Sequence, residues 1–194
     1  MTGNAQRELV ITGFGGQGII LTGNILGKAA TIHDGRHATM TQSYGPEARG
    51  GACPSQVIVS DSDIPFPYVE TPQILVCMSQ EGFDNNRPSL IPGGMLIWDT
   101  DLVETHDLDP SWSLFEAPTT RFAEELGNKM MANIVMLGFL SACTDLVDPE
   151  SLKKAMLGSV PPQTKEKNEA AFTRGREYGL AILKGKARQG AEAS

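Results

Sequence analysis

The residues best suited to bind a ligand lie near the start of the chain, in a turn rich in glycine. Gly13, Gly15 and Gly18 form the pattern G-x-G-x-x-G, and Gly16 and Gln17 complete the segment. An apolar run precedes this turn and apolar residues recur at helical spacing after it, which predicts a strand, a tight turn and a helix. Glycine lets backbone approach a ligand closely, and the free N–H groups at a helix start attract anions. The turn is therefore a candidate cofactor-binding site.

The two nucleotide chemistries that use such turns need further residues, and the sequence lacks them. Dinucleotide binding requires an acidic residue at the end of the second strand, where it accepts hydrogen bonds from a ribose. That region reads HATMTQSYG without a carboxylate, because Asp34 precedes the strand. No Lys-Ser or Lys-Thr pair follows the glycines, which excludes a Walker-type phosphate loop. Two interpretations remain open: an anion or cofactor contact, and a turn that serves only helix–sheet packing.

A second segment, SYGPEARGG, combines an aromatic ring, a proline, a carboxylate, a guanidinium and two glycines between two predicted strands. Its candidate binding residues are Tyr44, Arg49, Gly50 and Gly51. An arginine beside exposed glycine backbone suits a phosphate, a carboxylate or a partner chain. The alternative is that Glu47 and Arg49 are solvated loop charges or a local ion pair, which would contribute little energy.

Nothing in the sequence predicts a catalytic or metal-binding residue on this chain. The cysteines are Cys53, Cys77 and Cys143, and the histidines are His33, His37 and His106. The cysteines form no C-x-x-C pair, which excludes a self-contained iron–sulfur or structural zinc site. The first of them follows the second glycine segment, but no histidine is placed to activate it as a nucleophile. The histidines lack a second ligand at metal-binding spacing.

The elements that position these segments are predicted to be six strands, with one helix after the first strand and further helices in the C-terminal third. The strands lie in the runs ELVIT, HATMTQSYG, PSQVIVSD, QILVCMS, GGMLIWD and SLFEAP. Several of these runs are continuously apolar, as in strands that are buried on both faces of a sheet. We therefore expect a three-layer αβα fold of the α/β class, Rossmann-like, with a mixed, mostly parallel central sheet.

The C-terminal third is predicted to be helical, within a single domain that spans residues 1–194. We expect helices over about 121–146, after Asp148-Pro149 and over about 165–184, followed by a frayed tail over 185–194. Asn133 lies in the apolar run MMANIVMLGFLSAC, where its amide needs a partner. It could contact the glycine turn, face another subunit or be satisfied within the core.

Composition narrows the classes of function. The net charge of −7 argues against binding to nucleic acid or to an anionic membrane surface. The longest apolar run is shorter than the roughly 20 residues of a membrane-spanning helix. The first residues, MTGNAQRE, do not resemble a secretory signal, and an odd number of cysteines suits a reducing compartment. We expect a cytoplasmic protein that does not bind membranes.

Taken together, GFGGQGIILTGNILGKAA, TQSYGPEARGG, SQVIVSD with IPFP, and NKMMANIVMLGFL resemble the gamma subunit of 2-oxoacid:ferredoxin oxidoreductases. The resemblance extends over about residues 8–180. The form of the second glycine segment is closer to the 2-oxoglutarate and branched-chain members than to the pyruvate members.

The resemblance implies a multi-subunit enzyme of anaerobic metabolism that converts a 2-oxoacid and coenzyme A into acyl-CoA and carbon dioxide. Thiamine diphosphate would lie between alpha and beta subunits, and iron–sulfur clusters would lie in ferredoxin-like or beta chains, with ferredoxin as the electron acceptor. This chain alone would bind no cofactor and be inactive, and it could form a homodimer when isolated. The alternatives are a stand-alone nucleotide-binding oxidoreductase and a purely structural interaction module.

Overall fold

A six-stranded mixed sheet forms the centre of the computed structural model, which describes residues 6–42 and 54–192. The strands are β1 (Arg7–Thr12), β2 (His37–Gln42), β3 (Ser55–Ser60), β4 (Ile74–Cys77), β5 (Met95–Asp99) and β6 (Ser113–Ala117). Their order is β2-β3-β1-β4-β5-β6. The neighbouring strands β1, β4, β5 and β6 are all parallel, whereas β3 runs antiparallel to both β1 and β2. The six predicted strands and the mixed, mostly parallel sheet are confirmed.

Helices cover both faces of this sheet, which confirms the three-layer arrangement. They are α1 (Ile19–Lys28), α2 (Gln80–Asn86), α3 (Thr119–Glu125), α4 (Ala132–Cys143), α5 (Pro149–Leu157) and α6 (Lys165–Glu192). Alternate residues of a strand point to opposite faces. Leu9 and Ile11 of β1 accordingly pack in the larger core, with α1 and α3 to α6. Val10 packs in a smaller core on the other face, with Phe83 of α2.

The prediction of a single helix over about 121–146 is wrong, because the helix is interrupted at Gly127 and two helices form instead. That residue has a φ of 86°, in the left-handed region that favours glycine. Its N–H donates to Glu124, and the next N–H donates to Ala123, which closes the end of α3. Asn128 then begins a short 3-10 turn by accepting the N–H of Met130 at 3.0 Å, and α4 follows.

Two other differences concern the ends and number of the helices. The short helix α2 is absent from the sequence prediction, because seven residues contain too few turns to show an apolar period. Its start is fixed by Ser79, whose hydroxyl accepts the N–H of Gly82 at 3.1 Å. The last helix extends to Glu192, beyond the end near Lys184 that the sequence predicted. By contrast, Asp148 caps α5 as predicted.

The helices α4 and α6 cross with their backbones in direct contact. A Cβ atom at Gly138 of α4 would overlap the carbonyl oxygen of Phe172, and one at Gly175 of α6 would overlap that of Val135. Only glycine permits this approach, and Phe139 of α4 is fully buried beside it in the larger core. Because Asn133 of α4 contacts the glycine turn, this crossing helps to determine where one wall of the candidate site lies.

None of the helices in the described ranges, 6–42 and 54–192, is both long enough and apolar enough to span a membrane.

Candidate functional site

The glycine turn, residues 13–18, connects the end of β1 to the start of α1, as predicted. It lies at the carboxyl end of β1, beside the parallel strand β4. The helix after β1 packs on one face of the sheet and the helix after β4 packs on the other. Open α/β sheets bind their ligands at such a divergence, outside the carboxyl ends of the strands. The fold therefore places the turn where a ligand or partner would bind.

The glycines of the turn differ in what they require. Gly16 and Gly18 have φ values of 93° and 74°, which residues other than glycine rarely adopt. A Cβ atom at Gly13 would overlap the side chain of Gln17. Gly15 has neither constraint, because its φ is not in the positive range and no described atom lies within 4 Å of an added Cβ. The fold of the described chain thus gives no reason for glycine at position 15.

Gln17 braces the turn from within. Its side-chain oxygen accepts the N–H of Phe14 at 2.6 Å, and its amide nitrogen donates to the carbonyl of Met78 at 3.0 Å. Met78 directly follows β4, so the side chain joins the turn to the neighbouring strand. Both ends of this amide are used inside the chain, and its role toward a cofactor remains a prediction.

Asn133, near the start of α4, holds the other end of the turn. It is 3% exposed and its Nδ2 donates to the carbonyl of Gly18 at 3.3 Å. A Cβ atom at Gly18 would overlap this nitrogen. Of the three interpretations that the sequence left open, contact with the glycine turn is the one that the structure shows. The two amides hold the backbone in place at both ends of the turn.

Two cavities, each of about 260 Å³, flank the turn. The first, which we call the Asn133 cavity, extends from Gly16 and Gly18 toward Lys167 and Asn168. The second, which we call the Phe14 cavity, has Phe14, Leu102, Met130 and Ala132 as apolar walls, with Gln17, Thr120 and Lys129 completing its lining. The side chain of Met130 borders both cavities and is 62% exposed.

A buried carboxylate supports the floor of the Phe14 cavity. Asp99, at the carboxyl end of β5, is fully buried. It accepts hydrogen bonds from the hydroxyls of Thr119 and Thr120 and from the N–H of Thr120 at 2.8 Å. It also accepts the N–H of Asp101 at 2.9 Å. These bonds satisfy the start of α3 and hold Thr120 against the cavity.

The second glycine segment, with the candidates Tyr44, Arg49, Gly50 and Gly51, lies outside the described residues. The strands on either side of it are described. Gln42 at the end of β2 pairs with Ser55 at the start of β3, and that residue pairs with Ile11 of β1. These strand ends lie at the same end of the sheet as the glycine turn. That the two glycine segments share one site remains a prediction.

The strand order also weakens the dinucleotide interpretation. The strand beside β1 on the β2 side is β3, which is antiparallel, so it brings its beginning and not its carboxyl end to the turn. A ribose-binding carboxylate at the usual position would have no strand to carry it. Asp34 is used elsewhere, because it accepts the N–H of Asp148 at 2.9 Å.

The cysteines and histidines within the described residues do not form a reactive or metal-binding group. Cys77 and Cys143 are buried free thiols. Burial raises the pKa of both, that of Cys143 to about 12, so they stay protonated and unreactive near neutral pH. In the described part of the chain, no three His, Cys, Asp or Glu side chains are arranged so that they could hold a metal ion.

His106 is half-exposed and links loop residues to α2. Its ring contacts Asp84 at 2.9 Å and Asp107 at 3.2 Å. The hydrogen bond with Asp84, followed by that with Asp107, raises the pKa of His106. The same bond lowers the pKa of Asp84. We interpret this group as a surface tether for the loop between β5 and β6.

A larger cavity, of about 460 Å³, lies at the opposite end of the sheet. Its lining includes Arg7 at the start of β1 and Met95 at the start of β5. An ion pair of 3.1 Å joins Arg7 to Asp145 within it. Amino ends of parallel strands are not where α/β sheets bind ligands, so the glycine turn is the stronger candidate despite its smaller cavities.

The fold and the site together define an α/β protein with a braced glycine turn at the carboxyl ends of its central strands. Residues 8–178 match the family described as pyruvate ferredoxin/flavodoxin oxidoreductase. The chain belongs to this family, and within it to the gamma subunits of the 2-oxoacid:ferredoxin oxidoreductases, as the sequence resemblance predicted.

Similar proteins of known name support this assignment. The 2-oxoglutarate synthase subunit KorC of Methanocaldococcus jannaschii is 49% identical over 179 residues, which cover 91% of this chain and 96% of that protein. The crystal structure of the keto/oxoacid ferredoxin oxidoreductase gamma subunit from Geobacter sulfurreducens PCA has a TM-score of 0.80 at 40% identity. The superposed residues cover 90% of this chain and 99% of the Geobacter sulfurreducens chain.

The same domain also occurs inside longer chains. The ketoisovalerate oxidoreductase subunit VorA of Methanothermobacter marburgensis is 36% identical over 150 residues, which are 30% of that protein. A chain of the 2-oxoglutarate:ferredoxin oxidoreductase from Magnetococcus marinus shares the fold, with a TM-score of 0.82 at 22% identity over 31% of its length.

Proposed function

We propose that this chain is the gamma subunit of an enzyme that oxidatively decarboxylates 2-oxoglutarate. The enzyme would convert 2-oxoglutarate and coenzyme A into succinyl-CoA and carbon dioxide and pass two electrons to ferredoxin. The observation that carries the proposal is the 49% identity to a 2-oxoglutarate synthase subunit over nearly the whole of both chains. The form of the second glycine segment, which is closer to the 2-oxoglutarate and branched-chain members than to the pyruvate members, also favours 2-oxoglutarate over pyruvate as the substrate.

The cofactors that do the chemistry are proposed to belong to partner subunits. Thiamine diphosphate would stabilise the carbanion formed on decarboxylation, and iron–sulfur clusters would carry the electrons. The described residues offer no group of ligands for a cluster. The proposed partners, as the family resemblance implies, are alpha, beta and ferredoxin-like subunits, and this chain alone would not turn over substrate. Its free buried thiols suit the reducing interior of the cytoplasm.

The part of the reaction assigned to this chain is to present the glycine turn to coenzyme A or to the subunit beside it. Gly15 and Gly16 are exposed and have open space where a Cβ would be. Such backbone can approach a phosphate or an amide closely. Gln17 and Asn133 keep the turn in one conformation, so little ordering entropy is lost on contact.

The proposal is tested by reconstituting the complex without oxygen and measuring reduction of ferredoxin. We expect turnover that depends on coenzyme A, on the partner subunits and on this chain, with a higher kcat/KM for 2-oxoglutarate than for pyruvate or 2-oxoisovalerate. The isolated chain should be colourless and contain no iron. A preference for another 2-oxoacid would overturn the substrate assignment, and turnover by the isolated chain would overturn the subunit assignment.

Replacing Arg49 with Ala should weaken use of coenzyme A or assembly of the complex while leaving the isolated chain folded. A charge-assisted contact to a phosphate or carboxylate contributes about 1.5 to 3 kcal/mol, which corresponds to roughly ten- to a hundredfold in affinity. A solvated loop charge would change stability by less than about 0.5 kcal/mol. The KM for coenzyme A and the amount of co-purified partner subunits measure the effect.

Arg49→Lys is the matched variant for this prediction, because it keeps the charge but not the planar fork of donors. We expect it to recover only part of the loss. If the Ala variant has unchanged kinetics and assembly, Arg49 is a surface charge without a role in the enzyme. A large drop in its melting temperature would instead show a structural role.

A further inference from the structure

The Phe14 cavity is bordered by two large apolar side chains that the described chain leaves exposed. Phe14 is 41% exposed and Met130 is 62% exposed. Leu102 and Ala132 complete the apolar walls of this cavity of about 260 Å³. We call these four residues and the cavity between them the Phe14–Met130 surface. Its volume is enough for one or two large side chains of another protein.

Hydrogen bonds hold the backbone at both exposed residues in place. The N–H of Phe14 is bound by Gln17, and the N–H of Met130 is bound by Asn128 at the start of a 3-10 turn. Ala132 begins α4 directly after that turn. A surface whose backbone is already ordered loses less entropy when it binds. Phe66 and Tyr68 are also exposed, but their rings contact each other, with centroids 5.3 Å apart.

We propose that the Phe14–Met130 surface is the docking site for a partner subunit of the same enzyme, which inserts an apolar side chain into the Phe14 cavity. The inference rests on the proposed multi-subunit function. In VorA and in the Magnetococcus marinus chain, this domain accounts for only 30% and 31% of the whole polypeptide. The remaining two thirds or so of each is joined to the domain covalently. The KorC subunit is matched over 96% of its length, so it carries the domain without those two thirds and needs a non-covalent surface for the corresponding protein. This chain, like KorC, would need the same kind of surface.

The charge at the cavity gives the docked segment a second property. Lys129 is exposed and lines the cavity beside Met130. None of the ion pairs found among the described residues uses it, although the chain carries a net charge of −7. The inserted apolar side chain is therefore flanked by a carboxylate that pairs with Lys129. Such a pair fixes orientation more than it adds affinity.

The test measures binding of this chain to its purified partner subunits, with Met130→Glu as the variant. Placing a carboxylate in an apolar contact should weaken binding by about thirtyfold or more, as expected for a central interface residue. Ile32→Glu is the matched control, because Ile32 is 67% exposed and lies beyond the end of α1, away from the turn. It should change the affinity by less than about threefold. Melting temperatures of both variants should equal that of the original chain.

Three results would overturn the docking proposal, and each is distinct from a failure of the proposed function. Equal binding by the Met130→Glu and original chains would show that the surface is not used. If the isolated Met130→Glu chain self-associates less than the original chain in sedimentation but binds the partner subunits equally well, the surface belongs to a contact with a second copy. An increased KM for coenzyme A in a fully assembled complex would assign it to the ligand. If the original chain itself binds none of the subunits, the proposed function has failed instead.

Discussion

Replacing Gly175 with Ala is expected to lower the free energy of unfolding by about 3 kcal/mol or more, at or above the upper end for overpacked cores. The added methyl group would overlap the carbonyl oxygen of Val135 and lie 2.9 Å from the backbone nitrogen of Phe139. Both obstacles are backbone atoms of α4, so no side-chain rotation can relieve them. For a chain of this length, the melting temperature should fall by about 6 to 12 °C or more.

Gly185→Ala in the same helix is the matched control. No described atom lies within 4 Å of an added Cβ at Gly185. Ala in an exposed helical position is favoured over Gly by about 0.5 to 1 kcal/mol, so this variant should be as stable as the original or slightly more stable. Similar melting curves for the two variants would contradict the close crossing of α4 and α6.

The second large effect is expected for Gly18→Ala, at about 2 to 4 kcal/mol. A non-glycine residue at a φ of 74° costs about 1 to 2 kcal/mol. The added Cβ would also overlap the Nδ2 of Asn133. This residue is only 3% exposed, so its side chain cannot move away freely. Gly16→Ala provides the comparison, because its φ of 93° imposes strain without any described neighbour within 4 Å.

A double-mutant cycle separates the two parts of this cost. In a chain that already carries Asn133→Ala, the overlap is gone and Gly18→Ala should cost only the backbone strain, close to the cost of Gly16→Ala. Chemical denaturation of the four chains of the cycle measures the coupling. Additive effects of the two substitutions would show that Asn133 does not constrain the turn.

The sheet was predictable from the sequence because each strand is an apolar or β-branched run that ends at a turn signal. The helices were less predictable. A run such as MMANIVMLGFLSAC is apolar all round, so its period does not show where the helix starts. The break before it depends on the left-handed backbone of Gly127. Gly127 followed by Asn128 is a recognisable helix stop signal, and the prediction of one helix over about 121–146 overlooked it.

The candidate site was predictable in its location but not in its internal contacts. The glycine pattern indicated a strand–turn–helix, and the turn has that position. The contact between Asn133 and Gly18 joins residues 115 positions apart, so local patterns could not reveal it. The pattern also treats its glycines alike, whereas the structure separates those with positive φ from Gly15, which is free of steric and backbone constraints. The small residues Ala171, Gly175 and Gly179, at helical spacing, were a signal for the α4–α6 crossing that sequence reasoning missed.

The most direct test of the central claim, that the glycine turn contacts coenzyme A or a partner subunit, is to replace Gly15 with Ala. In the isolated chain the substitution should change the free energy of unfolding by less than about 0.5 kcal/mol. No described atom obstructs the added methyl group, and the φ of Gly15 is not in the positive range. In the assembled enzyme the same methyl group would stand between the turn and whatever it contacts, at a cost of about 1 to 3 kcal/mol. The measurement is kcat/KM for coenzyme A together with the affinity for the partner subunits, next to the melting temperature. We predict an unchanged melting temperature with a loss of about tenfold or more in one of the two other quantities. Full activity and full assembly of the Gly15→Ala enzyme would contradict the claim and leave the turn as a packing element alone.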